Sequence, residues 1–231
     1  MNPNTMLRIF STASSLTLIS LLVSLSAQAG ARQQGRKLLP VDEAYKDKSF
    51  LVFRDRLLEA AKNHDSKFVM SAVHPRIRTG FGDNGGINEF RRKWMPERSD
   101  SKLWDTLVEV LSLGGAFRKA GKGSDFWAPY VYSNFPEDVD SFDYLAVIGE
   151  NVNVRQKPDP SSPVVSTLSY DLVKAPQGVA EKKAGDWVRI VTPAGRDGFV
   201  SRGFLRSPVD YRASFTRVKG RWMMSALVAG D

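Results

Sequence analysis

Two histidines, a glycine-flanked aspartate and scattered carboxylates are the residues of this chain with the chemistry to move protons or hold a metal. His64 and His74 stand ten positions apart across a helix break, which is not the spacing of a metal-ligand pair. Each reads instead as a helix-end residue, where partial positive charge suits the C-terminal dipole. Serines are plentiful, but no nucleophile-elbow pattern accompanies them. Asp83, within Phe81-Gly82-Asp83-Asn84-Gly85-Gly86, is the carboxylate best placed to line a pocket, since Gly-rich turns beside a sheet often do so. The same residues are also ordinary turn formers. Glu137 and Asp138 are neighbours, but a fold and not adjacency places the two carboxylates of a glycosidase. The Gly-rich run has neither the spacing nor the lysine of a nucleotide-binding loop. Arg91-Arg92-Lys93 reads as the solvated face of a helix. The absence of cysteine excludes disulfides, a thiol nucleophile, zinc–thiolate sites and a lipidated N-terminal cysteine. With no catalytic constellation, the expectation is a protein without enzymatic activity, metal or cofactor.

Binding chemistry is easier to find. Between Val152 and Leu205, short runs of strand formers alternate with Gly- and Pro-rich turns, the pattern of a small all-β barrel. Side chains along a strand alternate between faces. Val188 and Ile190 therefore share one face, and Trp187 and Arg189 the other. Val200 points opposite to Phe199. Aliphatic residues suit a small core, which leaves Trp187 and Phe199 outside, side by side across a hairpin. With Arg155 and Arg189 nearby, they form the candidate ligand-binding set, since aromatics flanked by arginine suit a peptide or glycan groove. Packing over the barrel or against a neighbouring domain is the other role such a pair takes.

The ordered set Val152-Asn153-Val154-Arg155, Pro158, Pro163, Leu168, Gly185-Asp186-Trp187-Val188, Gly195-Arg196, Gly198-Phe199-Val200 and Leu205 resembles the bacterial SH3-like (SH3b) domain family. Asp171 departs from it, standing where the family usually has glycine, which affects a turn. The resemblance implies a non-catalytic module that binds cell-wall material, peptide or an envelope protein. It also implies that the cysteine peptidases often joined to such barrels are excluded here, because the thiol is missing.

The N-terminus carries an address. Arg8 precedes an apolar, hydroxyl-rich stretch from Ile9 to Leu25, and Ala27-Gln28-Ala29 is a small-x-small cleavage site. Residues 1–29 are read as a secretory signal peptide. An uncleaved anchor is the alternative, disfavoured by the many hydroxyls and by the cleavage site. Cleavage would remove Arg8 and no acid, taking the formal charge from +8 to +7. A basic protein outside the cytoplasm meets anionic envelope polymers or lipid headgroups more than nucleic acid. The basic residues are dispersed, which also fits plain solubility. The expectation is a periplasmic or secreted protein with no stable membrane span after cleavage.

The remaining elements must position the barrel. Residues 30–46 are polar and read as a flexible leader. Ser49 is placed to cap a helix carrying Phe50, Phe53, Leu57, Ala60 and Ala61 on one face. Asp65 caps a second helix, with Phe68, Val69 and Ala72, that Pro75 stops. Ile77, Thr79 and Phe81 alternate as a strand. Ile87, Phe90 and Trp94 recur at helical spacing. Asp100 or Ser101 opens a helix that Gly114-Gly115 closes. Strands are expected around Phe117 and over residues 126–132. Beyond the barrel, a hairpin turns at Lys219-Gly220, and its apolar last strand is expected to return to the N-terminal sheet. The domains read as 47–142 with 209–231, a discontinuous α+β domain, and 143–208, an all-β SH3-like barrel. In order of elements alone, the α+β part resembles the cystatin-like, ketosteroid-isomerase-like class. FGDNGG, EFRRKW, LGGAF, APYVY and GRWMMSALVAGD also resemble pieces of secreted bacterial proteins that couple such a region to an SH3-like barrel; that likeness implies no activity.

Overall fold

A computed structural model of the chain describes residues 35–80, 82, 85–121, 123–175 and 185–230. The expected signal peptide and the candidate Asp83 lie outside the described residues. In chain order the elements are α1 (Lys48–Lys62), α2 (Ser66–Ala72), β1 (Val73–Arg78), α3 (Ile87–Trp94), α4 (Leu103–Ser112), β2 (Ala116–Ala120), β3 (Gly123–Ala128) and α5 (Tyr130–Ser133). There follow β4 (Tyr144–Val147), β5 (Val152–Arg155), β6 (Val164–Leu168), β7 (Leu172–Lys174), β8 (Trp187–Val191), β9 (Asp197–Ser201), β10 (Leu205–Arg206), β11 (Arg212–Val218) and β12 (Arg221–Val228). Among the described residues no helix is long and apolar enough to cross a membrane.

Two sheets organise these elements. The first has the order β1-β12-β11-β3-β2, so the first and last strands of the described chain share one sheet. β12 lies between β1, to which it is parallel, and β11, to which it is antiparallel. Lys219 and Gly220 both have positive φ, 48° and 81°, the backbone that a tight hairpin needs. Helix α1 packs on this sheet through Phe50, Leu57, Ala60 and Ala61, all buried. Phe50 is ringed by Phe126, Trp222, Phe117 and Phe215 at centroid distances of 4.3, 5.0, 5.6 and 5.6 Å. The core of the α+β part is thus filled with aromatic rings.

Some local expectations need correction. Asp47, not Ser49, caps α1, its carboxylate accepting from the Ser49 and Phe50 amides at 2.8 and 3.0 Å. Ser49 is the first-turn residue whose hydroxyl also bonds Asp47. β1 ends at Arg78, before Thr79, which is nevertheless buried. The strand over 126–132 stops at Ala128, because Pro129 has no N–H to continue the ladder, and Tyr130–Ser133 form a helical turn. α4 starts at Leu103, with the Ser101 hydroxyl accepting from its amide at 3.1 Å, and closes at Gly114, whose φ of 64° suits glycine.

The second sheet has the order β10-β4-β7-β8-β9-β5-β6. Val152, Val154, Val188, Ile190 and Val200 fill its core, as their alternation requires. Gly198 lies against that core: a Cβ there would collide with the Val154 side chain and stand 3.0 Å from the Arg155 carbonyl.

Residues 35–46 are not a loose leader. The Leu38 amide bonds the Tyr170 carbonyl at 2.7 Å, and the Leu172 amide bonds the Arg36 carbonyl at 2.8 Å, so the segment pairs with the barrel. A few residues later the Glu43 amide bonds the Gly115 carbonyl at 2.8 Å, and the Glu43 carboxylate accepts from the Phe117 amide at 3.0 Å. Leu38 and Ala44 are buried and Val41 packs beside them. Three apolar side chains at a spacing of three anchor the stretch, while its other large apolar residues, Leu39 and Tyr45, stay exposed. The segment straps the two sheets together over a shared cluster of Leu38, Tyr130, Val131, Ala146 and Leu172.

Candidate functional site

The candidate site grows from the outer face of the second sheet. In β8, Val188 and Ile190 point inward, which leaves Trp187 and Arg189 outward. In β9, Phe199 and Ser201 are outward. In β5, Asn153 and Arg155 are outward. The registers align Arg189 with Phe199 and Phe199 with Arg155, so Phe199 stands between two guanidinium-bearing side chains. Trp187 pairs with Ser201 instead, placing it diagonal to Phe199 and not directly across the hairpin. All four sequence-derived residues thus share one face, in a different order from the one expected.

Only two of them line the groove on that face. A depression of about 340 Å³ is bordered by Trp187, Arg155, Asn153, Pro160, Ser201 and Phe204, with Glu150 at the same groove. Phe199 and Arg189 stand beside it. Arg189 is held by Asp197, its Nη2 2.8 Å from the carboxylate. Arg155 is fixed by donating from Nη1 to the Ser162 carbonyl at 2.7 Å. The Pro-rich loop that supplies Pro160 is pinned by Asp159, whose carboxylate accepts the Ser161 amide and hydroxyl at 2.7 and 2.8 Å. Those bonds hold its carboxyl below the usual range. Phe204 was missed in the sequence reading. It follows the Gly198-Phe199-Val200 strand on a single 3-10 turn, Arg202–Phe204, and half of its surface (50%) is exposed. An aromatic after Arg202-Gly203 was the available signal.

The other candidates do not converge. His64 has a left-handed φ of 53° and stacks flat on Trp104, centroids 5.0 Å apart and planes at 8°. His74 lies in β1 and not on a helix end, its Nδ1 accepting the Arg76 amide at 3.0 Å. Asp138 pairs with Arg36 at 2.5 Å. Among the described residues no group of three His, Asp or Glu side chains is placed to hold a metal. Beside the glycine-rich turn there is an open depression of about 450 Å³ bordered by Pro75, Arg76, Arg78, Gly82, Gly85 and Gly86.

The second sheet is a small barrel with an aromatic-lined depression on its outer face, next to a 3-10 turn. Residues 150–206 match the family model described as "Bacterial SH3 domain", and this part of the chain is such a domain. The match begins just before β5 and ends with β10; β4 and the whole α+β part lie outside it. A search of curated proteins finds no match. One solved structure, a substituted variant named Rd1NTF2_05, aligns over 80% of this chain and 99% of its own at 12% identity, with a TM-score of 0.29. At that score the likeness carries no argument about fold or function.

Proposed function

We propose that this protein is a non-enzymatic, periplasmic or secreted binding protein of the bacterial cell envelope, whose SH3 domain holds a peptide, a peptidoglycan stem or an envelope protein. The observation that carries the reading is the groove between Trp187, Phe204 and Arg155. Two partly exposed rings supply stacking area at little entropic cost, and Glu150 and Arg155 offer one charge of each sign, which suits a peptide carrying both an amine and a carboxylate. A bacterial SH3 domain supports the class of partner. The expected signal peptide supports the location. In this reading the α+β part is a cystatin-like unit, completed by the β11–β12 hairpin, that mounts the barrel; no cofactor is required.

Calorimetric titration with soluble peptidoglycan fragments tests the groove. Trp187→Ala and Phe204→Ala are each expected to weaken binding about tenfold or more, with an unchanged fold. A second reading keeps Asp83, outside the described residues, as the polar group of a small-molecule site in the α+β part; Gly82, Gly85 and Gly86 of the same glycine-rich run border a depression. Loss of ligand binding in Asp83→Ala, with Trp187→Ala unaffected, would favour it.

A further inference from the structure

The groove on the barrel's outer face has a direction. β5 and β9 run antiparallel from the pair Arg155 and Phe199. Further along the two strands, Asn153 and Ser201 come to the middle of the groove, where Trp187 pairs with Ser201. Beyond them the Ile148 amide donates to the Phe204 carbonyl at 2.9 Å, and a Cβ on Gly149 would stand 3.4 Å from the Phe204 ring. Phe204 therefore closes the end at which Glu150 stands. Arg155, bonded to the Ser162 carbonyl, stands with Pro160 at the other end. At about 3.3 Å per extended residue, the backbones of Glu150 and Arg155 are at most roughly 16 Å apart. The left-handed φ of 53° at Asn151 shortens that span. An extended peptide of about four residues, at most roughly 14 Å long, fits it.

The two ends differ in charge, and both are open to a ligand. Glu150 is exposed and in no ion pair among the described residues. Arg155 commits Nη1 to the Ser162 carbonyl; its Nε and Nη2 have no acceptor among the described residues, and neither is buried. Nε and Nη2 are the fork that a carboxylate accepts in bidentate fashion. Asp159 is the acid beside Arg155, but the Ser161 amide and hydroxyl take its carboxylate, and Lys157 balances its charge. That end keeps the positive charge of Arg155, and the Phe204 end carries the negative charge of Glu150. An internal segment of a longer chain brings no terminal charge to either end, whereas a short peptide with free termini brings one to each.

We infer that this groove selects short linear peptides with both ends free, the N-terminal ammonium at Glu150 and Phe204 and the C-terminal carboxylate on the Arg155 Nε–Nη2 fork; the inference rests on the reading of the groove as a peptide site. The test is an NMR titration of the full chain with tetraalanine in free, N-acetylated, C-amidated and doubly blocked forms, each to about 5 mM, at about 0.05 M salt. Each block is expected to weaken binding about fivefold, the upper range for an exposed charge pair. Acetylation is expected to cost nothing further in Glu150→Gln, and amidation nothing further in Arg155→Gln, whereas Arg155→Lys keeps a penalty for amidation. Trp187→Ala is expected to weaken all forms alike. Equal binding of all forms by the wild type, a penalty for acetylation that persists in Glu150→Gln, or a penalty for amidation that persists in folded Arg155→Gln would overturn the inference. If Trp187→Ala still weakens binding in that case, the groove stands as a peptide site without the selection of free ends. No saturable binding of any form also overturns the inference. Binding indifferent to Trp187→Ala overturns both the inference and the groove. If Arg155→Gln fails to fold, the Glu150→Gln cycle decides by itself.

Discussion

At the scale of single residues, Asp171 turns a departure from the SH3b pattern into a tether. Its carboxylate, almost fully buried, accepts Lys37 Nζ at 3.1 Å and the Ser169 amide at 2.8 Å. Tyr170, just before it, takes the positive φ of 59° that glycine would ordinarily supply in such a turn. Asp171→Ala is expected to cost about 1–3 kcal/mol in denaturant unfolding and to raise amide exchange at Leu38 and Leu172; unchanged exchange there would contradict the tether. Tyr130 sits in the same strap cluster with its hydroxyl buried and without a partner among the described residues. Burial pushes its phenol up to about 12. The sign follows directly. A folded-state value above the unfolded value of 10.0 gives stability that is complete below pH 10 and is lost as pH rises through about 12. Tyr130→Phe is expected to be neutral or stabilising by about 1 kcal/mol at neutral pH and to blunt alkaline unfolding, read from melting temperatures across that range.

At the scale of elements, the start of α1 combines two depressed carboxyls. Asp47 is held below the ordinary range by the Ser49 hydroxyl and by the Phe50 and Ser49 amides, and Glu43 by Lys46 and the Phe117 amide. Folded values below the unfolded ones give stability that is present above the unfolded range near pH 4 and is lost as pH falls through the lower folded values. Asp47→Ala is expected to lower stability by about 1 kcal/mol at neutral pH and to weaken its dependence on acid; an equal loss at pH 3 and pH 7 would contradict the cap. Much at this scale is legible in sequence. Val152, Val154, Val188, Ile190 and Val200 alternate with polar or aromatic neighbours, so period two alone fixes which side chains enter the barrel core. Phe50, Leu57, Ala60 and Ala61 do the same for α1. What escaped was set by contacts between distant segments. Nothing in the stretch separates Leu38, Val41 and Ala44 from the exposed Leu39 and Tyr45 until Tyr170 and Gly115 are brought beside them. The pairing of Trp187 with Ser201 depends on hairpin register, which the alternation cannot specify because a shift of two residues preserves every face.

At the scale of the whole molecule, one strap, one shared cluster and Arg206 join the two sheets. Arg206, on the barrel's last strand, bonds Glu109 on α4. The candidate groove lies on the outer face of the barrel, which leaves Trp187, Phe204 and Arg155 accessible while α4 and the strap occupy other sides. Its aromatic component was half visible in sequence: Trp187 and Arg155 border the groove, Phe199 and Arg189 stand beside it, and Phe204 entered through a 3-10 turn that carries no periodicity. The most direct measurement is co-sedimentation of the protein, freed of residues 1–29, with purified peptidoglycan at about 0.05 M and about 1 M salt, alongside Trp187→Ala. Binding that persists at high salt in the wild type and is lost in Trp187→Ala is the expected result, since stacking in the groove is not screened. Binding that disappears with salt in both proteins, or persists in both, would contradict an aromatic groove as the site of recognition.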